Sequence, residues 1–514
     1  MPALSSLPEP TGSQALDLPL LPRELFWMVL EDLSPRDIVR CRRVSQLWNQ
    51  AFGDPMNLTP LLKKLFPYAR EVRELYTSTE PLEDLGTASY WRTLFDRIAS
   101  RYDHLSRGKP RSIQKHKLCD EFGISGEREW FQVQPWENHA SHLMQRVDLP
   151  FSESFWTYED GLIVYPSADH TCLVLMDLDS DRKFMVPFII TGKVVRRTRL
   201  QKRTLVIEWA EPKAFHWLND SDGVHRHFAS SFDITRNSSD GWSVTFRNEW
   251  KIMFLGHPLS ERDRFFSTHS ETHYAIYIWQ PNRSLYTADD DAPIESLSIW
   301  DISKPSSYRP SLDPTSRLQE TANDTGPYII SRFGFRQLGF YSVRQRGLPA
   351  IQWLEITDDN QAIEIFENIC TGPVNRFVGP SEWTSQVHVT SIPIVGQGPC
   401  RRRMVESLVL PPYRGNSSLQ ASPLTLSICE ESWYTIISET VDEKAQVGFC
   451  LHLSQATWPF DLRPFLSIKT PLSEVTLKLA DAFEFTGKGR IYGSERYLVG
   501  ENGNRELVIY RFDR

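Results

Sequence analysis

Between Leu16 and Pro55 the apolar positions recur at helical spacing. Leu25, Val29 and Leu33 fall at i, i+4 and i+8 with Leu30 beside them, and Phe26, Trp27 and Met28 carry apolar surface round the other side. Pro22 stands where a helix start tolerates a missing N–H, and Glu24 follows in the first turn, where a negative charge suits the helix dipole. Ser34-Pro35-Arg36-Asp37 reads as an N-cap serine, a first-turn proline and an acid at the third position. The helix it opens turns Ile38, Val39 and Cys41 inward and Arg36, Arg40, Arg42 and Arg43 to solvent. Val44, Leu47, Trp48 and Ala51 repeat at i, i+3, i+4, i+7 for a third helix, which Gly53 and Asp54-Pro55 end. Three short helices in about forty residues make a small core, and the first is apolar on nearly every face, so a partner surface is expected.

From residue 59 to 112 the pattern stays helical. Thr59-Pro60 repeats the cap-plus-proline signal before LLKKLF, and a charged stretch, YAREVREL, follows. Tyr90, Trp91, Leu94, Phe95, Ile98, Tyr102 and Leu105 then form one stripe, with Arg92, Asp96, Arg97, Arg101 and Asp103 placed opposite. Gly108 and Pro110 terminate it. Beyond residue 113 helix signals nearly vanish and strand-like runs recur: GLIVYP, CLVLMD, TLVIEW, HYAIYIW, ESLSIWD, ELVIYRF and others. Asp160-Gly161, Asp240-Gly241 and Asn502-Gly503 punctuate them as hairpin turns. So many strands in one stretch exceed a single sandwich. A β-propeller of six to eight blades holds them without exposed sheet edges. The final strand, 507–512, is expected to complete a blade with strands from the start of this domain, and Pro305–Pro327 is expected to be a long inter-blade loop. The division is thus a disordered lead-in at 1–16, a small helical module at 17–58, a helical linker at 59–112 and a large all-β domain at 113–514, an α+β multidomain chain.

Composition narrows the functional classes. The 514 residues carry 57 Lys and Arg against 65 Asp and Glu, a net charge of −8, which argues against a chain-wide nucleic-acid binder. The first sixty residues hold five basic and seven acidic side chains, so the four arginines of the second helix make no basic face. Seven scattered cysteines, none in a CxxC pair, suit buried thiols in a reducing compartment. With no long apolar run and no secretory leader, the chain is expected in the cytoplasm or nucleus, away from membranes. Thirteen of the sixteen tryptophans lie at or beyond Trp130, so the aromatic excess belongs to the β-domain.

The N-terminal module resembles an F-box. The pattern LP-x-x-L-x-x-x-(I/V)-L-x-x-L-x-x-x-D-(I/L), then V-x-x-x-W, is matched without a gap by Leu21-Pro22, Leu25, Val29-Leu30, Leu33, Asp37-Ile38, Val44 and Trp48. The resemblance implies a docking surface for a Skp-type adaptor, which joins an F-box to a cullin–RING ubiquitin ligase. On that basis Leu21, Pro22, Leu25, Phe26, Val29, Leu30, Leu33, Pro35, Ile38, Val44 and Trp48 are the candidate adaptor-binding residues. Phe26 and Trp27 are bulkier than the family pattern. The helix carrying Trp91 and Leu94 looks like the segment that joins F-box to propeller in propeller-bearing members.

Candidate chemistry is sparse. GxSxG, P-loop, GxGxxG-after-strand and HExxH patterns do not occur, so no catalytic, cofactor-binding or metal-binding residue is assigned. His225/His227 and His269/His273 suit a metal only if they meet in space, and Asp289–Asp291 reads as a solvated loop tip. The basic runs from Arg196 to Arg203 and from Arg401 to Arg403 are open to two readings: localisation or substrate-binding patches, or strand ends and a hairpin turn. Met176-Asp177, Phe232-Asp233 and Trp300-Asp301 resemble the end of a WD-type strand, without a regular repeat around them. The expected function is therefore that of the substrate receptor of an SCF-type ubiquitin ligase, non-catalytic itself, holding an unknown protein target. The alternatives are a hydrolase-like propeller enzyme regulated by its F-box, and a non-degradative adaptor-bound scaffold.

Overall fold

The computed structural model describes residues 18–77, 87–118 and most of 155–513, the main gaps being 281–292, 315–325, 372–383 and 406–433. Six helices come first: α1 (Arg23–Asp32), α2 (Pro35–Cys41), α3 (Gln46–Phe52), α4 (Pro55–Leu65), α5 (Arg70–Thr77) and α6 (Ala88–Ser106). Ser34 caps α2 as expected, its hydroxyl accepting from the Asp37 N–H at 3.2 Å while Pro35 takes the first turn. Pro22 is the residue before α1 rather than its first helical residue. α4 starts one turn earlier than Thr59-Pro60 suggests, because Asp54 accepts from the Met56 N–H and Pro55 fills the first turn. Pro60 therefore lies inside α4, where it removes an N–H from the ladder. Arg23 donates to the Met56 carbonyl at 3.3 Å, the oxygen that this missing N–H leaves open.

The β-region forms six four-stranded antiparallel sheets. Blade 1 is β2 (Thr157–Glu159), β3 (Leu162–Pro166), β4 (Cys172–Asp177) and β5 (Lys183–Ile189). Blade 2 is β6 (Val194–Gln201), β7 (Thr204–Ala210), β10 (His227–Arg236) and β11 (Trp242–Lys251), with the hairpin β8 (His216–Asn219) and β9 (Asp222–Val224) inserted at its middle. Blade 3 is β12 (Arg264–His269), β13 (His273–Gln280), β14 (Ile294–Asp301) and β15 (Tyr328–Phe333); the short helix α7 (Phe335–Phe340) leads on to blade 4. Blade 4 is β16 (Ile351–Ile356), β17 (Ala362–Thr371), β18 (Thr384–Pro393) and β19 (Arg401–Val405), and blade 5 is β20 (Tyr434–Asp442), β21 (Val447–Gln455), β22 (Leu462–Lys469) and β23 (Glu474–Lys478). In blade 6, β24 (Tyr492–Gly493), β25 (Tyr497–Glu501) and β26 (Glu506–Arg511) are joined by β1 (Ser112–Lys117), which pairs antiparallel with β26. The ring is closed by the two ends of the domain, as expected for the final strand. This is a six-bladed β-propeller behind a helical module.

Two expectations about loops change. Pro305–Pro327 joins β14 to β15 and so lies within blade 3, not between blades; 315–325 fall outside the described residues. Asp160 and Gly161 both take left-handed backbone, the two-residue hairpin turn their sequence suggests. Asn502-Gly503 instead sits in a longer turn that the left-handed Arg505 completes, and Asp240 lies outside the described residues.

The helical module does not float. Phe26, Leu30, Ile38 and Phe52 share one apolar cluster with the buried side of α6 and with Phe449, Leu466, Leu498 and Tyr510 of blades 5 and 6. The expected stripe of α6 is buried apart from Tyr90, which is exposed.

Candidate functional site

α1 divides its apolar side chains between two faces. Phe26 and Leu30, four apart, point into the core, where Phe26 meets Phe52 edge-on at 5.0 Å. Leu25 and Met28, three apart, face solvent and are 50% and 63% exposed. Val44 and Leu47, at the turn into α3, are 62% and 38% exposed, and Pro22 is exposed too. Leu21, Trp27, Val29, Leu33, Pro35 and Trp48 are half-buried. Trp48 stacks on Phe52 at 5.3 Å, and Trp27 donates its indole N–H to Glu31 at 2.8 Å.

The candidate adaptor residues thus separate by environment. Leu25 and Val44 are free for contact, with Pro22 beside them, and the half-buried residues offer an edge. Phe26, Leu30 and Ile38 are interior, so their part is to hold α1 and α2 in place rather than to touch a partner. Met28 and Leu47, exposed and absent from the family pattern, join the accessible set. Their signal in the sequence is helical phase: each lies three residues from a patterned position, Leu25 and Val44 respectively.

A second polar arrangement fixes this module to the propeller. Arg42, expected at the surface, is buried: it donates to the Phe52 carbonyl at 3.1 Å and to Asp96 of α6 at 2.5 Å, with its guanidinium 5.2 Å from the Phe95 ring centre. Arg101, also expected on the solvent side of α6, has no exposed surface. It pairs with Glu71 of α5 at 2.7 Å and with Glu495, in the β24–β25 turn, at 3.1 Å. Glu495 further accepts from the Arg70 N–H at 2.8 Å and the Tyr102 hydroxyl at 3.2 Å. Burial works to raise both carboxyls, and the outcomes differ. Glu71 ends below the usual range because Arg101 and Arg97 outweigh its burial, whereas the deeper Glu495 stays above it despite Arg101. Arg70 and Arg496 both reach Asp179 in the β4–β5 turn, at 3.3 and 2.7 Å. Helical periodicity alone assigns Arg42 and Arg101 to solvent; their partners lie up to several hundred residues away.

The remaining candidates stay apart. Arg196 and Arg197 are buried in β6, where Arg196 bonds His227 at 2.9 Å and Arg197 bonds the Ser267 hydroxyl at 2.5 Å. Lys202 and Arg203 form the left-handed β6–β7 turn, so this run follows the strand-end-and-turn reading. Arg401–Arg403 line β19 at the outside of blade 4 and are exposed. His269 lies against the Thr204 carbonyl at 2.9 Å and His225 against that of Glu211 at 2.8 Å, and no metal-sized group of His, Cys, Asp and Glu occurs among the described residues. Asp289–Asp291 lie outside the described residues. Asp177, Asp233 and Asp301 all fall on third strands, β4, β10 and β14. No described helix is long and apolar enough to cross a membrane.

A family model described as F-box-like matches residues 18–58. Comparison with curated proteins finds no match. Among solved structures, a chain of one described as the crystal structure of the mitotic checkpoint complex aligns with 77% of this chain and 98% of its own, at 8% identity and a TM-score of 0.31. Hydrazine synthase from Kuenenia stuttgartiensis aligns over 73% and 76% at 10% identity and a TM-score of 0.24. An α-L-arabinofuranosidase from Lactobacillus brevis aligns over 63% and 90% at 8% identity and a TM-score of 0.23. Likenesses this low carry no functional argument, and the blade arrangement rests on the strand pairing itself. The pattern from Leu21 to Trp48, the three helices it builds and the family match over the same residues show an F-box-like domain at 18–58, followed in this chain by a six-bladed β-propeller.

Proposed function

We propose that the chain is the target-recognition subunit of an SCF-type ubiquitin ligase. The F-box-like domain docks a Skp-type adaptor, and through it a cullin–RING assembly, while the propeller holds a protein target. The observation that carries this reading is the outward apolar set Leu25, Met28, Val44 and Leu47, which the fold leaves uncovered although Phe26, Leu30 and Ile38 of the same helices are buried. Exposed leucine, methionine and valine on so small a module are costly unless a partner covers them. The chain performs no bond chemistry of its own in this reading. It raises the effective concentration of a target near a charged conjugating enzyme, in the cytoplasm or nucleus.

Copurification with the adaptor tests it. Leu25→Asp with Val44→Asp places two charges on the apolar set without touching the core, so adaptor capture is lost while the thermal transition stays within about 2 °C of wild type. A wild-type chain that captures no Skp-type adaptor overturns the reading. Capture without cullin recruitment or target turnover replaces the degradative role with a scaffolding one.

A further inference from the structure

Hairpins between the first and second strands of each blade, and between the third and fourth, lie on one face of a propeller. That face meets the helical module, since Glu495 is in the β24–β25 turn and Asp179 in the β4–β5 turn. α7 joins the last strand of blade 3 to the first of blade 4, so it lies on the other face, and blades 3 and 4 stand across the ring from blades 6 and 1. In a chain of net charge −8, residues 328–346 hold four arginines and no acidic residue. Phe335 and Phe340 of α7 are exposed at 45% and 72%, and the Arg344 guanidinium lies 4.8 Å from the Phe335 ring centre. Arg336 and Arg346 are exposed and pair with no acid among the described residues. Arg402, from the outermost strand of blade 4, reaches the Tyr341 carbonyl at 3.0 Å and so brings the neighbouring basic strand to α7.

The loop behind this surface is held rigid. Ser342 and Arg346 both take left-handed backbone, at φ 55° and 54°, a conformation costly for side-chain-bearing residues. The Glu295 carboxylate, 1% exposed, accepts from the N–H groups of Gln345 at 2.7 Å and Arg346 at 3.0 Å and stands 3.6 Å from the Arg344 guanidinium. Gln345 in turn donates to Glu367 at 2.6 Å. Two buried carboxylates thus fix the loop that carries Arg344 and Arg346, and preorganisation of this kind lowers the cost of binding.

We infer that Phe335, Phe340, Arg336, Arg346 and Arg402 form a docking surface for an acidic peptide segment bearing apolar side chains. The arginines match its carboxylates and the two phenylalanines its apolar residues, complementarity a like-charged or purely polar segment lacks. A long polyanion such as nucleic acid is disfavoured by the acidic remainder of the chain. The inference rests on reading the propeller as the part that holds a target.

The test uses the full-length chain and a short fluorescein-labelled peptide of Glu, Asp and Phe, followed by anisotropy at low and physiological salt. R336E/R346E is expected to weaken binding by about tenfold or more, and F335A/F340A severalfold, since the former reverses charge and the latter removes apolar contact. A labelled single-stranded oligonucleotide and a Lys-for-Glu peptide are expected to bind weakly in every case. Both variants keep the wild-type melting curve and capture the adaptor as wild type does, so failure here is separable from failure of the ligase reading. Absence of acidic-peptide binding by the wild-type chain, unchanged affinity in either variant, or tighter oligonucleotide binding that R336E/R346E abolishes overturns the inference.

Discussion

Arg101 shows what a single side chain contributes here. It is wholly buried between Glu71 at 2.7 Å and Glu495 at 3.1 Å, and it joins α5, α6 and blade 6. A buried ion pair adds little net stability against an apolar substitute, but removing one member strands the other in the interior. Arg101→Met therefore costs about 3–5 kcal/mol, read as a fall in the urea midpoint. The double change Arg101→Met, Glu495→Gln recovers part of this, because the neutral amide's oxygen still accepts from the Arg70 N–H while its NH2 donates to the Tyr102 hydroxyl oxygen. A single variant within about 0.5 kcal/mol of wild type would mean the carboxylates are solvated and the contact peripheral. The contrast with Leu25 is instructive: the apolar residue faces water and the charged one is interior, opposite to composition-level expectation, and each reversal marks a place where the chain meets something else.

At the scale of elements, α6 is the part on which the F-box orientation depends, and its end is set by Gly108. This glycine is left-handed, at φ 58°, and its N–H donates to the Leu105 carbonyl at 3.0 Å, closing the helix. A Cβ there meets Leu477 of β23 at 1.9 Å, so the position needs glycine both for its backbone and for the close approach of blade 5. Gly108→Ala is expected to cost about 2–4 kcal/mol, the sum of left-handed strain and overpacking, and to loosen α6 from blade 5. Hydrogen exchange resolves the two parts: faster exchange confined to α6 and β23 supports the argument, and unchanged protection there removes it. Gly108 was legible in the sequence as a helix stop, since stop signals are local. The contact with Leu477 was not, because it joins residues far apart in the chain. The same distinction explains the rest of this region. Ser34-Pro35 and the α6 stripe could be read from spacings of three and four, as could the F-box pattern. The start of α4 at Pro55 was misplaced because two cap-plus-proline signals, Asp54-Pro55 and Thr59-Pro60, compete within a few residues, and the earlier one caps the helix.

For the whole molecule, strands were legible from alternation and turn residues, while the number of blades was not. It depends on which strand ends each sheet, and only the pairing of β1 with β26 decides that the ring closes at six. The folded ring buries polar side chains, and three histidines among them, His269 against blade 2 and His227 and His452 within their own blades, tie stability to pH. His269 is held down to about 3 and His452 to about 4, chiefly by burial, and burial together with the neighbouring Arg196 keeps His227 well below the ordinary imidazole value. All three are neutral in the folded ring at physiological pH. On unfolding they regain a value near 6.5 and take up protons once the pH falls below it. Their effect is absent above about pH 6.5 and grows as pH falls toward the folded values, at about 1.4 kcal/mol per pH unit for each histidine, or roughly 4 for the three. Glu495 and Glu367, whose carboxyls burial raises, bind protons more readily in the folded state and act in the opposite sense, so the net slope is smaller than that sum. Urea midpoints are therefore expected to hold near pH 7 and fall from about pH 6.5 to pH 5, before ordinary carboxylates titrate, and His269→Gln with His452→Gln is expected to flatten the fall by about two thirds. A midpoint that does not move over this range would mean that the histidines reach solvent and that the ring is less tightly packed around them than their burial implies. Steep loss between pH 7 and 5 retained by the double variant would assign the dependence to His227, because Glu71 and Asp179 at the module junction are held below their usual values and give up stability only at lower pH.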